Sequence, residues 1–449
     1  MHALLEDAAR RAMAYLEGLD RRSVAPAASA IAALDAFDQP FPERGTDPRE
    51  TLALLDLLVS PATMATAGPR FFGFVIGGSM PVTVAANWLA TAWDQNAALS
   101  SVTPGVSRLE EVALRWLREL LNLPAASGGG FVTGATVANF TALAAARHAV
   151  LARTGWNVEA DGLFGAPPIT VLVSAEAHPT LFKSLGMLGL GRGRVVRVAV
   201  DGQGRMRADA VPPIKGPAIV CVQAGNINTG AFDPFQTIIE RAHEQGAWVH
   251  VDGAFGLWAA ASSRLKQLTL GMEQADSWAT DAHKWLNVPY DSGLAFARDS
   301  HALQAAMAIT AEYLPTESTH RNPCDFTPEL SRRARGVEVW AALSSLGRAG
   351  LVELVERSCR QARRFADGLR AAGYSVLNDV VLNQVLVSFG SAAQTRAVIA
   401  RLQEDGTCWC GGTVWQDQTA MRISVSSWAT TDQDVERSLS AMLRAAAAG

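Results

Sequence analysis

Lys284 sits in the run Asp281-Ala282-His283-Lys284-Trp285, directly after the strand-like Ser277-Trp278-Ala279-Thr280. A lysine held between histidine and tryptophan at a strand end is partly desolvated. Desolvation disfavours the ammonium, lowers the lysine pKa, and frees an amine able to form a Schiff base with a carbonyl compound. Taken alone, the run also reads as an exposed loop lysine. Three segments upstream change that balance.

The first is Trp248-Val249-His250-Val251-Asp252-Gly253-Ala254-Phe255-Gly256. An apolar run ending in Asp and followed by small residues reads as a buried parallel strand that delivers a carboxylate to the carboxyl edge of a sheet. A buried carboxylate needs a cationic partner. A protonated pyridine nitrogen is one, and the carboxylate would keep it protonated so that the ring acts as an electron sink. Asp252 could equally cap the next turn. The second segment is Gly129-Gly130-Phe131-Val132-Thr133-Gly134-Ala135-Thr136-Val137-Ala138-Asn139, a glycine-rich turn leading into the helical stretch Phe140 to Arg153. Small residues entering a helix leave free N–H groups at a positive dipole end, which suits a phosphate, and Thr136 adds a hydroxyl donor. There is no Walker lysine and no GxGxxG, so a nucleotide is not indicated. The third is His178, in Val171-Leu172-Val173-Ser174-Ala175-Glu176-Ala177-His178-Pro179. A lone histidine past a β-branched strand reads as a hydrogen-bonded loop residue.

Together the four segments resemble the group II pyridoxal-phosphate-dependent amino-acid decarboxylases, which include the aromatic-L-amino-acid and glutamate decarboxylases. The resemblance runs over most of the chain, from Pro69 to Trp428, and includes Pro69-Arg70-Phe71-Phe72-Gly73-Phe74, Pro104-Gly105-Val106-Ser107-Arg108-Leu109-Glu110 and Leu330-Ser331-Arg332-Arg333-Ala334-Arg335. It implies an α/β protein of the PLP-dependent transferase fold type I (aspartate aminotransferase-like). That fold places a mostly parallel seven-stranded sheet in a large domain and adds a smaller C-terminal α+β domain. The corresponding divisions are an N-terminal helical dimerisation segment at 1–69, a large cofactor domain at 70–325 and a small domain at 326–449. By the resemblance, pyridoxal 5'-phosphate is the cofactor and Lys284 carries it as a Schiff base. Asp252 pairs with the pyridine nitrogen, His178 stacks on the ring and Ala254 packs on the opposite face. Ala135, Thr136 and His283 contact the phosphate. The family usually carries a threonine near the cofactor hydroxyl and the substrate carboxylate. Here the matching position is Ile227, flanked by Asn226 and by Asn228, the candidate contact.

The same resemblance matches Tyr313, in Ala311-Glu312-Tyr313-Leu314-Pro315, to the tyrosine of a mobile catalytic loop that returns a proton to Cα. Phe74, Val75 and Ile76 match one wall of the substrate pocket. Trp93, Asn96 and Ala98 match a wall supplied by a partner subunit, so a homodimer is implied. These walls are apolar and aromatic with one amide and no arginine for a distal carboxylate. An aromatic or bulky apolar L-amino acid, losing CO2 to leave a primary amine, is the expected substrate. An oxidative deaminase that releases an aldehyde is the main alternative, followed by an aminotransferase or a carbon–carbon lyase. A non-catalytic relative would have no need to keep Lys284, Asp252 and His178 together.

The elements that must hold these residues are legible in outline. At 449 residues the chain is long enough for a large core and more than one domain. A net charge of −4 without a basic cluster argues against nucleic acid as a partner. Among the five cysteines only Cys408 and Cys410 are close and no histidine lies near them, so neither a metal site nor a disulfide framework is indicated, and a reducing cytoplasmic setting is expected. Glu6 and Asp7 occupy the place where a secretion signal would be basic and then apolar. Phe71 to Trp93 lacks charge, but Gly77-Gly78, Pro81 and Asn87 interrupt it, so it reads as buried chain and not as a membrane span. Helices are expected at Ala3 to Leu19, Ala27 to Phe37, Pro48 to Val59, Ser331 to Leu346 and Val352 to Ala372. Strands are expected at Ile169 to Ser174, Val195 to Val200, Ala218 to Val222, Ala247 to Asp252 and Gly293 to Ala297. Val381 to Phe389 and Met421 to Val425 read as strands of a smaller domain.

Overall fold

Residues 1–309 and 320–448 are described by a computed structural model. Tyr313 lies outside the described residues. The chain divides into two compact units, one formed by 79–362 with 378–384 and the other by 1–78, 363–377 and 385–449.

The first unit is built on seven strands: β1 (Gly128–Val132), β2 (Thr170–Ser174), β3 (Val196–Val198), β4 (Ala218–Gln223), β5 (Trp248–Asp252), β6 (Ser277–Asp281) and β7 (Gly293–Ala297). They lie in the order β1-β7-β6-β5-β4-β2-β3. The pairs from β3 to β6 are parallel, while β7 runs antiparallel to both of its neighbours. Strand β4 reads Ala-Ile-Val-Cys-Val-Gln and is buried along its whole length, the uninterrupted apolar signature of a strand covered on both faces. This register decides where the chemistry gathers. Asp252 pairs with Ala279, Asp281 with Gly293, and Val132 with Gly293. The carboxyl ends of β5 and β6 therefore meet the end of β1 along one edge of the sheet.

Helix α6 (Ala135–Ala152), which follows β1, packs across β5, β6 and β7. Its alanines Ala138, Ala142, Ala145 and Ala146 are fully buried, and side chains this small let a helix axis come close to the sheet. The segment Gly129 to Val132 departs from the sequence expectation. It is the interior of a fully buried strand, not a turn, and the helix starts at Ala135 instead of Phe140. Packing explains the glycines: a Cβ would lie 2.7 Å from Ser300 Oγ at Gly128, 2.6 Å from the Phe296 ring at Gly129 and 2.7 Å from the Phe326 carbonyl at Gly130.

Within the same unit, α4 (Pro81–Trp93) and α5 (Pro104–Leu120) each begin with proline in the first turn, where a missing N–H costs nothing. A long helix spans Gly336–Ala371 and loses helical geometry at Gly347, with φ 58°. The expected break between Leu346 and Val352 falls there, while the helix start lies later than the expected Ser331.

The other unit carries the N-terminal helices α1 (His2–Gly18), α2 (Ala28–Ala32) and α3 (Pro48–Ala62), the last capped by the Asp47 carboxylate, which accepts from Arg49 N–H. A four-stranded sheet of β8 (Ser375–Val376), β9 (Gln384–Ser388), β10 (Gly411–Trp415) and β11 (Gln418–Ser424) runs in the order β10-β11-β9-β8. Leu19, Val24, Ala65 and Phe71 form a local core there, and buried Arg70 donates to the carbonyls of Thr407 and Asp20 and to Asp434. Among the described residues no helix is long and apolar enough to cross a membrane.

Candidate cofactor and active site

Asp281, the last residue of β6, organises the lysine run. Its Oδ2 lies 3.2 Å from Lys284 Nζ and 3.6 Å from His283 Nε2, while its Oδ1 accepts the N–H of Ala135 at the start of α6. Lys284 and His283 belong to the single turn Ala282–Trp285 that leaves the strand. The His283 ring is fixed on two sides: Nδ1 stands 3.1 Å from the Ser292 carbonyl and the ring stacks on Tyr290 at 4.0 Å. Burial pushes the His283 pKa down; the Asp281 carboxylate opposes this and the Lys284 charge reinforces it. The approach of β7 to α6 is close enough that a Cβ on Gly293 would sit 2.5 Å from Gly134 backbone atoms.

One strand over, Asp252 ends β5 with 5 % of its surface exposed. Burial raises its pKa, and the His178 and Lys284 charges pull it back. Its contact with the backbone is a long one, Ala254 N–H to Oδ1 at 3.4 Å, and among the described residues no cationic side chain forms an ion pair with it. Behind it lies a fully buried polar chain. Asn139 Oδ1 stands 2.8 Å from His250 Nε2, His250 Nδ1 stands 3.0 Å from Ser277 Oγ, and Ser277 Oγ accepts from Trp248 Nε1 at 2.8 Å. The other end of Asn139, its Nδ2, makes no hydrogen bond of good geometry, yet its amide acts on the Asp252 carboxylate in the direction that favours ionisation.

His178 caps the helix Pro179–Met187, its Nδ1 standing 2.7 Å from Thr180 Oγ1 and accepting from Thr180 N–H at 3.3 Å. Its charge lowers the Asp252 pKa, so the two act on each other at this edge of the sheet. Thr136 is half-buried in the first turn of α6, and Ala254 follows β5 and accepts from Asp281 N–H. Asn226, not Asn228, shapes the next loop: its side-chain oxygen accepts from Asn228 N–H and Thr229 N–H, and its Nδ2 donates to Glu176 at 3.2 Å. That carboxylate is two residues before His178, so the loop and the histidine segment are tied together. Asn228 itself is half-buried.

The expected pocket residues are placed separately. Asn96 Oδ1 accepts from Arg332 N–H at 2.9 Å, and Trp93 lines a cleft of about 410 Å³ with Gln95, Gly105, Val106 and Leu109. Phe74 belongs to the other unit, where its exposed ring stacks on Trp409. Phe74 and Val75 both hold positive φ (61° and 78°), a cost for side-chain-bearing residues that tends to be retained at functional positions.

Residues 34–390 match the pyridoxal-dependent decarboxylase conserved domain. The chain belongs to that family. An aromatic-L-amino-acid decarboxylase of Bacillus atrophaeus is 29 % identical over 336 residues, covering 72 % of this chain and 68 % of the relative. Tryptophan decarboxylase 1 of Oryza sativa subsp. japonica is 27 % identical over 418 residues (84 % and 80 %). An L-2,4-diaminobutyrate decarboxylase of Rhizobium meliloti is 29 % identical over 435 residues (91 % and 84 %). In fold, the chain superimposes on the crystal structure of Oryza sativa TDC with PLP and tryptamine with a TM-score of 0.91 at 22 % identity, covering 100 % of this chain and 97 % of that one. It is a fold type I protein and a PLP-dependent amino-acid carboxy-lyase.

The pyridoxal-dependent decarboxylase family requires a place for a phosphate, a carbonyl and a protonated ring nitrogen, and this chain's donor set fits. The first turn of an 18-residue helix, Thr136 and His283 suit the phosphate. Lys284 suits the carbonyl, and the buried Asp252, with no cationic side chain paired to it among the described residues, suits the ring nitrogen. Among the described residues no group of three or more His, Cys, Asp or Glu could hold a metal ion.

Sequence reasoning assigns no role to Asp281, Asn139, His250 or Asn226. A signal was present for the first, because a carboxylate three residues before the lysine lies within reach of it in one helical turn. The contact between Asn139 and His250 joins residues 111 positions apart and had no local signature.

Proposed function

We propose that this protein converts an aromatic or bulky apolar L-amino acid to its primary amine and CO2, with Lys284 as the covalent anchor of the cofactor, as part of a cytoplasmic homodimer. The observation that carries the reading is the placement of Lys284 and Asp252 on adjacent parallel strand ends, with a helix N-terminus alongside. Bound pyridoxal phosphate supplies a carbonyl that takes up an amine and an electron-poor ring that accepts the electron pair left behind by CO2.

The residues divide the remaining work. Asp252 holds a proton on the ring nitrogen, since a buried carboxylate gains most from a cation at contact distance. Lys284 would hold the cofactor carbonyl through its amine, and the Asp281 carboxylate 3.2 Å from Nζ would pair with the ammonium whenever the lysine is free. His178, oriented through Thr180, would support the ring from one side and Ala254 from the other. Tyr313 returns the proton to Cα.

For the substrate class, the support is charge accounting around Asn96. The neighbouring arginines are committed: Arg332 to Glu110 at 2.9 Å, Arg333 to Glu338 at 3.1 Å and Arg335 to Asp291 at 2.7 Å. A distal carboxylate on the substrate would have to compete with the carboxylates that these arginines already hold. Relatives named for aromatic substrates agree, while the diaminobutyrate and acidic amino acid decarboxylases among the relatives make the alternatives concrete. Self-association is supported by the apolar side chains that α4 leaves exposed, Val82, Trp88, Leu89 and Trp93. The five cysteines, all buried and unbridged, suit a reducing compartment.

Incubation of the purified protein with the twenty amino acids, with CO2, amine, aldehyde and peroxide all measured, tests the reading. CO2 and amine in equal amounts from tryptophan, tyrosine, phenylalanine or a bulky aliphatic residue is the expected outcome. Turnover confined to glutamate, aspartate or diaminobutyrate overturns the substrate class, and aldehyde with peroxide as main products overturns the reaction.

A further inference from the structure

We propose that Asp281 is a resident anion at the phosphate cradle, whose charge opposes cofactor loading. Helix α6 is eighteen residues long, has no side-chain cap at Gly134 and carries no acidic residue in its first turn. An uncapped N-terminus of this kind attracts negative charge. The chain fills that need from a distance, since the Ala135 N–H donates to Asp281 Oδ1 across 146 residues of sequence. The other carboxylate oxygen stands 3.2 Å from Lys284 Nζ and 3.6 Å from His283 Nε2. Ala135, His283 and Lys284 are the groups expected to receive the cofactor, and all three converge on one carboxylate. Its side chain is 4 % exposed, so it is held there and does not sample the position from solvent. Gly134 adds no bulk between them, since even a Cβ there would remain 3.5 Å from Asp281 Oδ1.

Two consequences of opposite sign follow. Without cofactor, Asp281 satisfies the helix end and the lysine ammonium, so it stabilises the apoprotein. With cofactor, a carboxylate within a few ångströms of a phosphate repels it, and like charges at such range change an equilibrium by on the order of ten- to a thousandfold. Asp281 therefore holds the cradle in shape and weakens the grip on the cofactor, which favours its release.

The inference rests on the reading that Lys284, His283 and the first turn of α6 hold the cofactor. Asp281→Asn and the smaller Asp281→Ser are each titrated with pyridoxal phosphate by absorbance and with inorganic phosphate by its effect on the apoprotein melting temperature. At least one variant is expected to bind both at least tenfold more tightly than the parent, while melting at a lower temperature when free of cofactor. Equal or weaker binding by both variants overturns the inference, because a merely structural residue would weaken the apoprotein and the complex alike. Failure of both variants to fold does so too, since it would make Asp281 part of the framework. Borohydride labelling of the parent separates the two readings. Label on another lysine defeats the site assignment, whereas label on Lys284 without tighter binding in the variants defeats only the role of Asp281.

Discussion

Replacing Gly293 with alanine puts the architecture of the cradle under direct strain. Gly293 opens β7 and pairs with Asp281 on one side and Val132 on the other. A Cβ there would lie 2.5 Å from both Gly134 C and Cα and 2.7 Å from its nitrogen. Carbon atoms pack at about 3.5–4.0 Å, so roughly 1 Å must open between the strand and the turn that starts α6. The opposing atoms are backbone, and no flexible side chain can yield. Overpacking of this kind costs about 1–3 kcal/mol. The opening also draws the first turn of α6 away from β6, and a misplacement of about 1 Å in a positioned group can cost on the order of a hundredfold. Gly293→Ala is therefore expected to lower apoprotein stability by about 1–3 kcal/mol in urea denaturation and to weaken pyridoxal phosphate binding at least tenfold. Gly105→Ala is the control. It lies in the first turn of α5 with nothing within 4 Å of the added carbon, and should be neutral or slightly stabilising. Cofactor affinity within twofold of the parent, with unchanged stability, would refute the claim that close approach of β7 and α6 shapes the site.

Asp252→Asn should keep the cofactor on Lys284 and lose at least a hundredfold in turnover, because a neutral amide cannot hold the ring nitrogen protonated; absorbance at the cofactor band checks loading and CO2 release checks the rate. His250 titrates at 6.5 when exposed, and burial pushes it down to about 3 in the native protein. The unfolded chain therefore takes up a proton that the native state does not between these values, and stability falls as pH drops through that window, by at most about 1.4 kcal/mol per pH unit. His250→Gln should flatten that slope in denaturation midpoints measured from pH 7 to pH 4, and an identical slope in the variant would show that His250 does not contribute. Tyr313→Phe removes a phenolic proton donor and is expected to slow amine formation and divert flux to aldehyde and peroxide. Equal amine yield from the variant and the parent would assign the proton to another group.

The strand ends were readable because their chemistry and their periodicity coincide. A buried β-branched run that stops at Asp252, and a strand-like run that stops just before His283-Lys284, need a parallel sheet to bring them together, and the register does so. Gly129 to Val132 reads as a turn because glycine signals one locally, whereas in the strand that begins at Gly128 glycine is selected by Phe296, Ser300 and Phe326 pressing on both faces. The short strands β8 and β10 carried no alternation strong enough to be recognised, β10 being half-exposed and glycine-led. Around the site, the residues that the family resemblance assigns to the cofactor were legible as candidates, while those that position them were not. Asn139, His250 and Ser277 form a chain only after α6, β5 and β6 have packed, and their types are unremarkable in isolation.

The chain has four lysines, and Lys183, Lys215 and Lys266 are exposed while Lys284 is largely covered. Borohydride reduction of the yellow holoprotein, followed by digestion and mass mapping, therefore gives an unambiguous readout. The cofactor mass is expected on the peptide containing Lys284 alone, and Lys284→Ala should abolish both the label and turnover. Label on Lys183, Lys215 or Lys266, or an unlabelled protein that still releases CO2, would contradict the account at its centre.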